Sequence, residues 1–378
     1  MTGKTMKAKQ FFSLLLTLLI FLPVFAAGSE LPEIWTARQA ITFARQNNPD
    51  SQLATQRIIE ADAILQKSSV TFYPQVELFS NYIQTNNPMY SFGNILNQGE
   101  FSPVIDFNNP GRTDNLGLGV GVQYRFYNGG QDLAHKNAAR AGVELSAAAS
   151  EAVSLRLEFE VFRGFQQIIE GRELVQARQK ALEAITSSLT VAQARYDAGD
   201  LLKLDLLNLE VEKTVAMENL IEAQHNLALA SKVFLTLLGL PGDDLQLEIN
   251  DAERPTLPTD PDPRQRPELR SLTAALEAGE SQLAAARGTR LPTVDGFARY
   301  QYDKGTVLDG DGDSWMAGVN LSFKLFDGYQ SGAEIALSEA RLGALRAQQK
   351  QLELALGLEV TQAQLALALA RQRQQVTQ

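Results

Sequence analysis

The sequence predicts a mainly helical chain with transmembrane β: long coiled-coil helices that continue a β-barrel shared between protomers, four strands per chain, built as two internal repeats. Three observations predict it. The order helix, strand, loop, strand, long helix occurs twice; the strand segments alternate apolar with small or polar residues; and the helical segments carry seven-residue spacing over lengths no globular domain needs.

The duplication is visible without gaps over long stretches. A shift of 218 places Pro49 on Pro267, Leu65 on Leu283, Pro74 on Pro292, Val76 on Val294, Phe79 on Phe297 and Tyr82 on Tyr300. A shift of 199 places Gly119 on Gly318, Val120 on Val319, Arg125 on Lys324, Asn128 on Asp327 and Gly129 on Gly328. The offset changes between Ile83 and Asn115, where the first copy carries 19 residues more than the second.

The chain opens on a secretory signal, expected over 1–28. Lys4, Lys7 and Lys9 precede an apolar run from Phe11 to Phe25, and Ala26, Ala27 and Gly28 offer a small-residue cleavage site. No apolar stretch of that length follows, so further membrane helices are not expected and any membrane contact must come from strands.

The first repeat is expected over 29–250, with strands at about 71–83 and 116–127 and helices at about 129–196 and 201–238. In its second strand Leu116, Leu118, Val120, Val122, Tyr124 and Phe126 fall on one face, and Gly117, Gly119, Gly121, Gln123, Arg125 and Tyr127 on the other. The first strand, from Phe72 to Tyr82, alternates less cleanly. Proline is absent from Gly111 to Leu240, and Val161, Ile168, Val175, Leu182, Leu189 and Tyr196 recur every seventh residue, a coiled-coil seam. A helix of that length measures on the order of 100 Å at about 1.5 Å per residue. Leu220, Leu227 and Phe234 repeat the spacing in the return helix, which stops at Gly239 and Pro241.

Pro255, Pro258, Pro261, Pro263 and Pro267 mark a linker. The second repeat is expected over 251–378, with strands at about 293–302 and 315–326. In its second strand Ala317, Val319, Leu321, Phe323 and Leu325 oppose Gly318, Asn320, Ser322 and Lys324. By the 199 offset Gln378 corresponds to Gln179, so the second copy lacks a tip turn and return helix, and the natural protein is expected to be longer.

Composition excludes several classes. Without the three signal lysines, the 34 basic residues become 31 against 44 acidic, which argues against a nucleic-acid partner. Cysteine is absent, removing disulfides, thiolate metal sites and the residue a lipid anchor requires. His135 and His225 have no acidic or histidine neighbour at ligand spacing, so no metal site is expected. Asp309-Gly-Asp-Gly-Asp313 has calcium-loop character, but Ser314 and Asn320 stand where such a loop needs Gly and Glu, and a solvated turn is expected. No nucleophile elbow or phosphate-cradling loop occurs; no catalytic residue and no cofactor is expected.

Four strands cannot close, and open edges in lipid leave backbone groups unpaired, so the chain must share its barrel. Two chains give a filled eight-stranded barrel, whereas three give twelve strands with room for a bore.

Several segments resemble the TolC-like outer-membrane efflux and secretion channel family. They are Thr36-Ala-Arg-Gln-Ala-Ile-Thr-Phe-Ala-Arg-Gln-Asn-Asn-Pro-Asp50 with its counterpart Arg266-Pro-Glu-Leu269, Tyr73-Pro74 and Leu291-Pro292 before the first strand of each copy, and Tyr127-Asn-Gly-Gly130 and Phe326-Asp-Gly-Tyr329 after the second. The most specific is Ala194-Arg-Tyr-Asp-Ala-Gly-Asp-Leu-Leu-Lys-Leu-Asp205, similar to the family's periplasmic hairpin tip. The resemblance implies a homotrimer in the outer membrane of a Gram-negative bacterium, extending into the periplasm. It also implies docking onto a periplasmic adaptor (membrane fusion) protein coupled to an inner-membrane pump.

On that footing the docking tip is Arg195, Tyr196, Asp197, Gly199, Asp200, Leu201, Leu202, Lys203, Leu204 and Asp205, with an Arg195–Asp205 pair able to hold the entrance shut. The lipid-facing strand residues are Leu118, Val120, Val122, Tyr124, Val319, Leu321 and Phe323. Efflux of small toxic compounds is expected, with type I protein secretion and a periplasmic coiled-coil scaffold or adhesin as the alternatives.

Overall fold

The computed structural model describes residues 34–241, 246–247 and 262–377. The expected signal segment and most of the linker lie outside them.

The first copy starts with a two-residue strand, β1 (Ile34–Trp35), and two helices, α1 (Ala37–Asn47) and α2 (Pro49–Ser69). A capping box starts α1: the Thr36 hydroxyl accepts from the Gln39 N–H at 3.3 Å, and Gln39 Oε1 accepts from the Thr36 N–H at 3.1 Å. One residue separates the helices. Asn48 ends α1 and caps α2, its Oδ1 accepting from the Asp50 N–H at 2.8 Å, with Pro49 in the first helical position where no N–H is needed.

The chain continues through β2 (Gln75–Thr85), α3 (Pro88–Asn97), β3 (Thr113–Asn128), α4 (Gln131–Asp197) and α5 (Lys203–Leu238). A short β4 (Gln246–Leu247) pairs in parallel with β1. The second copy supplies α6 (Pro267–Gly288), β5 (Thr293–Lys304), β6 (Asp311–Ser322) and α7 (Gln330–Thr377).

Three boundaries differ from the sequence expectation for physical reasons. The first strand starts at Gln75 rather than about 71, because Val70–Phe72 close a 3-10 turn and Pro74 then withholds an N–H from any ladder. The extra residues of the first copy are not a plain loop but hold α3, capped by Asn87 and started by Pro88. The fourth strand runs over Asp311–Ser322 rather than about 315–326, because its partner β5 begins at Thr293, opposite Ser322.

One sheet orders the strands β2-β3-β5-β6, antiparallel throughout, leaving β2 and β6 as open edges. A bulge between Arg125 and Tyr127 moves Tyr127 beside Val294, and so off the polar face where strict alternation had put it.

The main core sits where α1 lies against α4 and α5: Trp35, Ala40, Ala44, Leu157, Val161, Phe165, Ile168, Phe234 and Leu238. Two helical glycines bring α4 and α5 together, since a Cβ on Gly164 would meet Phe234 at 3.1 Å and one on Gly171 would meet Leu227 at 3.1 Å. Burying Phe234 against that groove is worth about 3–5 kcal/mol by the cost of truncating a core phenylalanine. The seam is fully buried only at Val161 and Ile168; Val175, Leu182 and Leu189 are half-buried and Tyr196 is exposed.

One described helix, α7, is long and apolar enough by composition to cross a membrane, a feature the sequence reading did not expect. Glu359, inside its apolar part, approaches Arg266 at 3.7 Å, which ties that part of α7 to the base of α6 and away from the sheet.

Candidate functional site

Two regions gather the residues singled out from sequence: the turn between α4 and α5, and the sheet.

The turn closes on backbone bonds. Gly199, at φ +87°, takes the left-handed conformation that ends α4; its N–H donates to Tyr196 O at 2.9 Å and the Asp200 N–H donates to Arg195 O at 2.8 Å. Leu202 and Leu204 project outward, 70% and 65% exposed, while Leu201 is half-buried. Arg195, Tyr196, Asp197, Asp200, Lys203 and Asp205 are all exposed. The structure thus brings the ten tip residues to one end of the hairpin. No ion pair joins Arg195 to Asp205 among the described residues. Leu206, only 7% exposed, is the anchor that holds the turn against α4, and the sequence reading passed over it.

In the sheet, register places Val76, Leu78, Tyr82, Leu118, Val120, Val122, Tyr124, Tyr300, Tyr302, Trp315, Val319 and Leu321 on one face. Six of the seven expected lipid-facing residues are there. Phe323 is the correction: it lies beyond the last residue of β6, since no residue of β5 extends far enough to pair with it. Tyr82, Tyr300, Tyr302 and Trp315 form an aromatic band near the α3 end of that face, a feature the poorly alternating first and third strands concealed.

The opposite face carries Glu77, Asn81, Gln123, Arg125, Asp295, Arg299, Gln301, Asp303 and Asn320. Arg125 Nε donates to Asp295 Oδ1 at 3.1 Å, and the Arg299 guanidinium stands 4.8 Å from the Phe79 ring centre. Phe79 and Phe297 blurred the alternation because they sit on this polar face. Their rings lie over Gly119 and Gly318, the facing glycines, where a Cβ would collide with them.

The far end of the sheet is locked by buried polar groups. Asp114 accepts from the Thr306 N–H at 3.0 Å, the Thr306 hydroxyl at 2.5 Å, the Val307 N–H at 2.7 Å and the Tyr82 hydroxyl at 3.3 Å. Gln98, after α3, donates to Asp114 O at 2.6 Å and to Asn115 Oδ1 at 2.9 Å, and Asn115 donates to Asp303 at 2.5 Å. In the Asp309–Asp313 run, Asp309 faces Lys304 at 3.3 Å, and Asp311 and Asp313 are ladder residues of β6.

The sheet thus has one apolar and one polar face, and the helix that continues from it, α4, is on the order of 100 Å long at about 1.5 Å per residue. Their arrangement is that of a wall and a shaft.

Known proteins share it. The chain is 23% identical over 195 residues to the outer membrane efflux protein BepC of Brucella suis biovar 1, covering 50% of this chain and 43% of that protein. It is 27% identical over 249 residues to the protein CyaE of Bordetella pertussis, covering 61% and 52%. It spans about half the length of these curated relatives. Its fold matches the CmeC outer membrane channel of Campylobacter jejuni at a TM-score of 0.75, with 15% identity over 84% of this chain and 68% of that one. The family model for outer membrane efflux proteins matches residues 40–240 and 264–378, so the chain belongs to the outer membrane efflux protein family.

Proposed function

We propose that this chain is the outer-membrane channel component of a tripartite export system, conducting small toxic compounds from an inner-membrane pump and a periplasmic adaptor protein to the outside. The observation that carries the reading is the four-stranded sheet itself: apolar on one face, polar on the other, open at both edges, and standing on a very long helical hairpin. Lipid meets the face of Leu118, Val120, Val122, Tyr124, Val319 and Leu321, and the polar face lines a bore.

Open edges require neighbours, because each unpaired backbone group in hydrocarbon costs several kcal/mol. Three copies supply twelve strands, enough to leave a passage. The hairpin tip, with Leu202 and Leu204 outward beside Lys203 and Asp205, meets the adaptor. Transport energy comes from the pump; the channel contributes passage and docking.

The test is export. The full-length protein, produced with its adaptor and pump in cells lacking their own export channel, lowers accumulation of a fluorescent toxic compound and raises resistance to it. Unchanged accumulation with the protein correctly inserted in the outer membrane overturns the reading.

A further inference from the structure

The polar face of the sheet is hollow at the end that meets the helices. Register sets its side chains there in two rows. In the outer row Arg125 faces Asp295, which faces Asn320; in the next, Gln75, Gln123, Phe297 and Gly318 follow one another from β2 to β6. Because Gly318 has no side chain, the Phe297 ring lies over it, its nearest atom 2.9 Å from where a Cβ would stand. Over these rows lies a recess of about 560 Å³, lined by Gln75, Gln123, Arg125, Asp295, Phe297 and Asn320. Tyr73, 68% exposed, stands at its border. Small-molecule sites measure about 300–1,000 Å³.

Charge is the first property that names what the recess takes. Arg125 and Asp295 touch through one bond, Nε to Oδ1 at 3.1 Å. Among the described residues no hydrogen bond uses the terminal nitrogens of Arg125 or Oδ2 of Asp295. Both side chains are open to solvent, at 48% and 40% exposure. A solute with only a carboxylate therefore meets Asp295 as it reaches Arg125, and one with only an ammonium group meets Arg125 as it reaches Asp295. A molecule that carries both charges close together satisfies the free donors and the free acceptor at once.

The second property is an uncovered ring. Phe79 and Phe297 both lie on this face, but the Arg299 guanidinium stands over Phe79, 4.8 Å from its centre. Phe297 has no such cover among the described residues, and is free to stack on an aromatic solute. Carboxamides are the third. Gln75, Gln123 and Asn320 make no side-chain hydrogen bond among the described residues, so each offers an uncharged donor and acceptor to whatever occupies the recess.

We propose that this recess is a transit site for zwitterionic aromatic molecules, with Arg125 binding their carboxylate, Asp295 their ammonium group and Phe297 their ring. The inference rests on reading the polar face as a bore and adds to it a class of solute. Affinity is low by construction, since every polar group of the site competes with water, and a passage has to release what it binds. Each charge contributes up to about fivefold, the upper end of what an exposed ion pair supplies.

Three fluorescent probes test it, because they differ only in charge. Nε-dansyl-lysine carries an ammonium and a carboxylate on one carbon; dansylcadaverine is the same molecule without the carboxylate, and dansylaminohexanoic acid is the same without the ammonium. Titrated into the purified full-length protein in detergent, the zwitterion is expected to bind about fivefold more tightly than either single-charge probe. Arg125→Gln removes its advantage over dansylcadaverine, and Asp295→Asn its advantage over dansylaminohexanoic acid. Phe297→Leu weakens all three alike. Charge variants that leave the zwitterion's advantage intact overturn the site.

A second measurement leaves both charges and the ring in place. The chain has no cysteine, so Gln123→Cys introduces a single reactive thiol into it. In outer membranes a water-soluble maleimide is expected to label that thiol, and Nε-dansyl-lysine to slow the labelling more than the other two probes do. Labelling that all three probes slow equally, or that none slows, overturns the site and leaves the bore standing. A Gln123→Cys protein that is inserted yet does not label shows a dry face, and overturns the bore together with the site.

Discussion

The side-chain amide of Asn48 donates to the main-chain carbonyl of Leu237 at 2.9 Å, across 189 residues of sequence. The same side chain caps α2 through its oxygen, and Gly239 packs so close to Asn47 that a Cβ there would lie 2.7 Å from the Asn47 carbonyl oxygen. The Asn-Asn-Pro turn is therefore a clamp on the last turn of the return helix, where Leu237 O is one of the carbonyls a helix end leaves unsatisfied.

Two substitutions separate the roles of that clamp. Asn48→Asp keeps the capping oxygen and loses the donor to Leu237; Asn48→Ala loses both. The cap is worth about 1 kcal/mol, and a net hydrogen bond about 0.5–1.5 kcal/mol. Denaturant unfolding in detergent is expected to rank wild type above Asn48→Asp and Asn48→Ala lowest. Equal stability of wild type and Asn48→Asp means the bond to Leu237 contributes nothing, and equal stability of the two variants means the cap contributes nothing.

A second clamp operates at the α3 end of the sheet. Asp114 gathers two backbone N–H groups and two hydroxyls, holding the turn after β5 against the end of β3. Asp114→Ala strips partners from that turn at a cost of roughly 1–3 kcal/mol. Limited proteolysis of intact cells is expected to cut the variant between Lys304 and Asp309 and to spare the wild type. Equal resistance sinks the clamp.

At the base of α6, a bidentate contact from Arg266, Nε at 3.1 Å and Nη2 at 2.9 Å, holds the Glu268 carboxyl below its ordinary value. A folded-state value below the unfolded one gives stabilisation that is complete above the unfolded value, near pH 4.3 for a glutamate, and is lost as pH falls through the folded one. Both groups are partly exposed, so salt weakens the effect. The difference in melting temperature between wild type and Glu268→Gln is thus expected to be largest at neutral pH and to vanish in acid. A difference independent of pH assigns the effect to packing.

How much of this was legible depended on whether a feature repeats locally. The seam through Val161 and Ile168 and the alternation of Leu118, Val120 and Val122 are periodic, and periodicity reads directly as helix or strand. Phe79 and Phe297 were opaque because their place on the polar face follows from facing glycines on other strands, which only register reveals. Tyr127 was misplaced by a bulge, which adds a residue without a sequence mark. Leu206 was missed for a simpler reason: at a turn flanked by leucines, composition does not tell which one points in. The fourth strand was placed about four residues too late, because Phe323 and Leu325 continue the alternation of Val319 and Leu321 past Ser322, where the pairing with β5 ends.

The tip carries the last expectation. Gly199 has open space around it, so a larger side chain there meets no clash; the cost comes from φ +87° alone, about 1–2 kcal/mol for a residue with a Cβ. That strain is confined to the turn, because Leu206 still anchors the hairpin. Leu202 is different: exposed and outward, it contributes little to the fold, and Leu202→Glu puts a charge where an apolar partner surface is expected. Both Gly199→Val and Leu202→Glu are therefore expected to leave oligomer yield and insertion unchanged and to lower export at least tenfold, with loss of cross-linking to the adaptor. The decisive comparison is Leu206→Glu, which destabilises the hairpin itself and reduces protein yield. If Leu202→Glu behaves like Leu206→Glu, Leu202 is a packing residue. If Leu202→Glu exports and cross-links as wild type does, the adaptor docks elsewhere.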